Sequence, residues 1–133
     1  MTGRRACSVS ALMVLAALSA GTARAAVTED DFVLRNTGDF VNLCTAEQSD
    51  RLFTAAKNFC EGFAVGVYRV LEEQDMARRS GHMFCVTDPA PNRDQGIANF
   101  VQWAKADPKR LQLSAADGIA MYLAAQYPCP RGR

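Results

Sequence analysis

No CxxC or comparably close cysteine pair occurs in the chain. Zinc knuckles use such pairs to set ligands side by side, so Cys44, Cys60, Cys85 and Cys129 do not read as a metal site, and no metal or cofactor is expected. Histidine is almost missing: His82 stands alone. It lies three residues before Cys85, but no orienting acid is apparent in the sequence, so the two read as a surface imidazole and a structural cysteine rather than a base and its nucleophile. The adjacent acids Glu72-Glu73 and Asp30-Asp31 would diverge by about 100 degrees on a helix, which makes them solvated charge and not a catalytic dyad. Gly62 and Gly66 follow no strand and so cannot form a phosphate loop. With no catalytic residue to name, the chain does not read as an enzyme.

Long apolar runs are lacking as well. The run from Val9 to Ala20 is short of the roughly 20 residues that span a bilayer. It follows Arg4 and Arg5 and precedes Ala23-Arg24-Ala25, the pattern of an export signal cleaved near Ala25. Residues 1–25 are therefore expected to be removed and the remainder to work in the periplasm, with no membrane attachment after cleavage. Cys7 precedes the apolar run, where no lipid can be attached, and would leave with the signal. Without Arg4, Arg5 and Arg24, twelve basic residues face fourteen acidic ones, so there is no basic excess to attract nucleic acid or anionic lipid.

What remains is one domain, of a size at which covalent crosslinks matter. Residues 26–36 carry the acidic run Glu29, Asp30 and Asp31 and read as a flexible N-terminal arm before a domain of residues 37–133. Thr37 can cap a short helix reaching Cys44, with Phe40, Val41 and Leu43 on its apolar side. Leu52, Ala56, Phe59, Phe63, Val67 and Val70 then recur at helical steps, predicting a long amphipathic helix from Ser49 to Met76. Gly62 and Gly66 lie on one face of it; each lowers helix stability by about 1 kcal/mol against alanine, and close approach of another helix, internal or between protomers, is the simplest reason for them. After a Pro- and Asp-rich loop, Ile97, Phe100, Val101 and Ala104 mark a third helix from Arg93 to Ala106, with Asn92 and Gln95 as a capping pair. Asp107-Pro108 stops it. Ser114 and Asp117 open a fourth that carries Ile119, Tyr122, Leu123 and Tyr127 inward until Pro128. Trp103 and its aromatic neighbours read as core. No segment alternates in the manner of a strand, so the fold class is all-α: a small bundle of four helices, up to five with short ones, stabilised by disulfides.

Four cysteines allow three pairings. Joining Cys44 to Cys60 closes a short loop between two consecutive helices, and Cys85 to Cys129 would tether the loop after the long helix to the C-terminus; this is the preferred arrangement because neighbours close easily.

The stretch Cys60-Glu61-Gly62-Phe63-Ala64-Val65-Gly66, then Phe84-Cys85, then Tyr127-Pro128-Cys129 resembles the type VI amidase immunity family, also called Rap/Tai, over Thr37 to Cys129. The resemblance implies a periplasmic helical protein, in homodimeric form, that binds and blocks a secreted peptidoglycan amidase delivered by a type VI secretion system. It also implies an inhibitory surface of loops and helix ends, for which the polar turn with Asp107, Lys109, Arg110 and Gln112 is the most prominent candidate here. An alternative of another class is a small periplasmic acid-stress chaperone resembling HdeA, or another envelope binding protein.

Overall fold

The computed structural model describes residues 26–79 and 81–130. It contains five α-helices, α1 (Thr37–Cys44), α2 (Phe53–Met76), α3 (Arg93–Lys105), α4 (Pro108–Leu111) and α5 (Ala115–Gln126), with no strand among the described residues. The expected export signal lies outside the described residues.

The shortest of the longer helices is the hub, because α1 touches each of the other four. Eight residues are too few for a stable isolated helix, so packing must hold it. Phe40 and Leu43 are almost completely buried, and each such side chain contributes about 1.5 to 3 kcal/mol. The cap of α1 is Asn36, one residue before the expected one: its Oδ1 accepts from the Asp39 N–H at 3.0 Å. Thr37 instead sits inside the helix, fully buried, and donates through Oγ1 to the Ser114 carbonyl. A Cβ on Gly118 would lie 2.4 Å from that Oγ1, so glycine lets α5 cross α1 at near-backbone contact.

The segment expected as an arm contributes a docked 3-10 turn, Glu29–Val33. Asp31 is buried, accepting from Thr28 and from the Asn42 side chain of α1, and Phe32 meets Phe59 edge-on at 5.5 Å. Val27, Phe32 and Leu34 pack against the core, and with the satisfied Asp31 carboxylate they seat the segment. Leu34, at φ 58°, then turns the chain into α1.

α2 begins at Phe53, later than Ser49, because Glu47 and Asp50 close a turn of their own: the Glu47 N–H donates to Asp50 Oδ2, and the Asp50 N–H to the Glu47 carbonyl. Asn92 and Gln95 form the reciprocal capping box of α3, and Ser114 caps α5 by accepting from the Asp117 N–H. Two disulfides, Cys44–Cys60 and Cys85–Cys129, tie α1 to α2 and the loop after α2 to the end of α5. Around them Phe40, Phe63, Phe100, Trp103, Tyr122 and Tyr127 form a chain of ring contacts with centroids 5.1 to 6.1 Å apart.

Gly62 and Gly66 serve no internal seam among the described residues. A Cβ at either would meet nothing within 4 Å, because both point away from the bundle to the open side of α2.

Candidate functional site

The turn read as a partner-binding surface is a helix. Asp107 caps it by accepting from the Lys109 N–H at 2.9 Å, and Pro108 occupies the first position, where its missing N–H costs nothing. The four residues do not share one role. Arg110 donates through Nη1 to the Trp103 carbonyl at 2.6 Å, and its guanidinium lies 4.2 Å from the Trp103 ring centroid, so it fastens α4 to the end of α3. The other side of α4 is held to α1, where the Thr37 N–H donates to the Leu113 carbonyl at 2.7 Å. Lys109 and Gln112 remain exposed. The turn is thus a pinned projection offering one ammonium and one amide.

A second feature was not legible in the sequence. α2, the loop before α3, the first half of α3 and the end of α5 enclose a groove of about 380 Å³ floored by Phe40, Phe100, Tyr122 and Leu123. Val86, Ala90 and Pro91 form its loop wall, and Gly96 lines it from α3. Its charged lining is cationic: Arg69 and Arg93. Arg93 donates to Glu61 at 2.8 Å and Arg69 to Glu72 at 2.6 Å. These guanidinium bonds hold both glutamates below the usual carboxylate range. Burial, with Tyr127 as hydrogen-bond partner, pushes the Tyr122 phenol well above its ordinary value. The floor is therefore neutral.

The loop wall is anchored at the C-terminal end of α2. Asp75 is buried and accepts from the Met83 N–H and from His82 Nδ1 at 2.9 Å. His82 thus has the acidic partner that its sequence neighbourhood hid, seven residues upstream, and Cys85, three residues on, is committed to its disulfide. The Met83 N–H holds the Asp75 carboxyl below its usual range against the effect of burial. In Asp31 burial pushes upward, but bonds from Thr28 and Asn42 outweigh it and the net shift is downward.

A lowered native pKa gives stability that is present above the unfolded value, near 4, and lost as pH falls through the native value. The urea midpoint should therefore stay level from pH 7 to about 5 and fall below about pH 4, with a shallower acid limb in Asp75→Asn. Equal midpoints at pH 3 and pH 7 would show that these clamps contribute nothing.

No curated protein and no solved structure matches the chain significantly. The family model of the Rap1a immunity proteins does match it, over residues 36–129, from the cap of α1 to the last cysteine, and the chain belongs to that family.

Proposed function

We propose that the chain is an exported immunity protein that binds and inhibits a peptidoglycan amidase delivered by a type VI secretion system, with no chemistry of its own. Family membership over nearly the whole described domain carries this reading. The physical design agrees with it: an inhibitor gains affinity from a surface that is already rigid, and two disulfides with a doubly fastened α4 supply rigidity. In this reading Lys109 and Gln112 meet the amidase, while Asp107 and Arg110 build the turn that presents them. Self-association belongs to the same proposal, with the bare face around Gly62 and Gly66 as the seam between protomers, since no internal helix uses it.

The test is inhibition. Peptidoglycan amidases of the same organism are assayed for cell-wall hydrolysis with and without the oxidised protein, and the inhibited enzyme is titrated against variants. Lys109→Glu should weaken binding tenfold or more, equivalent to about 1.4 kcal/mol, at an unchanged urea midpoint. Arg110→Glu should lower affinity and midpoint together. Inhibition of none of the amidases would reject the reading, and full affinity in Lys109→Glu would place the surface elsewhere. Sedimentation of the wild type and Gly66→Arg reads the seam: monomer mass for both would remove it.

A further inference from the structure

We propose that the groove between α2, the loop before α3, α3 and α5 binds a small amphiphile of the fatty-acid class, with an apolar body and one carboxylate head. Its volume of about 380 Å³ falls in the range of small-ligand sites, roughly 300 to 1,000 Å³. Its lining is mostly apolar with a few polar groups, the composition of a small-ligand site. Its depth comes from side chains that are otherwise core: Phe40, Phe100 and Tyr122 are each buried to 5% exposure or less, yet turn one side toward the groove.

Charge decides the head group. Arg69 and Arg93 line the groove, whereas their carboxylate partners Glu72 and Glu61 do not. Each guanidinium has five N–H donors in a fixed fork, and the bond to its glutamate engages Nη1. The glutamate thus orients the fork, and the remaining donors suit a second carboxylate. An ammonium head would face those donors with no acceptor of theirs to bond.

Gly96 is an independent observation. It sits inside α3, where glycine weakens a helix, and a Cβ there would meet no protein atom within 4 Å. Internal packing does not require glycine at this position. Its missing side chain keeps the α3 side of the groove open, as expected where a ligand lies close to backbone.

The experiment is calorimetric titration of the oxidised protein at neutral pH with decanoate, decyltrimethylammonium and decanol, all below their aggregation limits. Decanoate should bind saturably at one per chain, at least tenfold more tightly than the ammonium. Arg69→Gln with Arg93→Gln should erase that preference while leaving decanol binding unchanged. Gly96→Leu, a helix-favouring change, should reduce decanoate affinity tenfold or more with an unaltered circular dichroism spectrum. Equal affinity for anion and cation would mean generic apolar adhesion and overturn the proposal. So would the absence of saturable decanoate binding to the wild type, or undiminished binding in Gly96→Leu.

Discussion

Phe100→Ala is expected to destabilise the oxidised domain by about 3 kcal/mol, at the low end of the range for a buried phenylalanine. The ring is 4% exposed and is the junction of the aromatic chain, with Phe40 at 5.6 Å, Tyr122 at 5.6 Å edge-on and Trp103 at 6.1 Å. Truncation removes the transfer free energy of the ring and its aromatic pairings, each worth about 0.5 to 1.5 kcal/mol beyond area. The second contribution, the void, is smaller here than in a closed core. Phe100 also floors the groove, so the vacated space opens into it and fills with water. The open, hydrated void sets the expected value near 3 rather than 5 kcal/mol. Urea denaturation at neutral pH checks it, as a lower midpoint at constant slope. A loss under about 1 kcal/mol would show that Phe100 is not the junction the ring geometry describes.

The elements legible in the sequence were those with both a period and a cap. α3 and α5 carry apolar stripes and begin at side chains whose capping bonds are local, Asn92 with Gln95 and Ser114 with Asp117, so their starts could be read directly. α1 was located by its apolar residues, but its cap was misplaced by one because Asn36 and Thr37 are both good capping residues; only the site for the Thr37 hydroxyl on Ser114, across the bundle, separates them. α2 has no side-chain cap at Leu52, and the Glu47–Asp50 turn that delays its start carries no apolar period to announce it. α4 was invisible because four residues carry no period, and Asp107-Pro108 ends one helix with the same residues that begin the next.

The candidate surfaces divide the same way. The polar turn was legible as a break in pattern, but the separation of its residues into scaffold and surface was not, since Arg110 is fixed by a ring seven residues upstream in α3. The groove could not have been found, because its walls come from four separate segments and its floor residues obey the ordinary rule for core. The glycines are ambiguous for a related reason. A helical glycine signals that something is close or that space is needed, and sequence cannot tell which: Gly118 is the close case, while Gly62, Gly66 and Gly96 are open.

Removing either disulfide should cost about 3 to 4 kcal/mol, and the two should prove nearly equal for different reasons. Cys85 and Cys129 are 44 apart in sequence, against 16 for Cys44 and Cys60. In the chain-entropy model the longer loop contributes about 4 kcal/mol and the shorter about 3. Packing offsets that order. Cys60 is wholly buried in the core, whereas Cys85 and Cys129 are half-buried, so a Cys44→Ala, Cys60→Ala variant also loses core volume of methyl size, about 1 kcal/mol. Denaturation of the two double variants in urea separates the contributions. Loss of a crosslink expands the unfolded chain, so the slope should rise for both, and more for the longer loop. A core void lowers the midpoint without changing the slope. A loss below about 1 kcal/mol in either variant would show that the fold holds that junction without its crosslink. For Cys85 and Cys129 the remaining hold would then be shared by the Cys85 N–H bond to the Tyr127 carbonyl at 2.7 Å, the buried Phe84 ring against Tyr68 and the Asp75 bonds to His82 and Met83. The Tyr127 bond contributes only about 1 kcal/mol, so most of that hold would fall to the buried Phe84 ring and the Asp75 clamp.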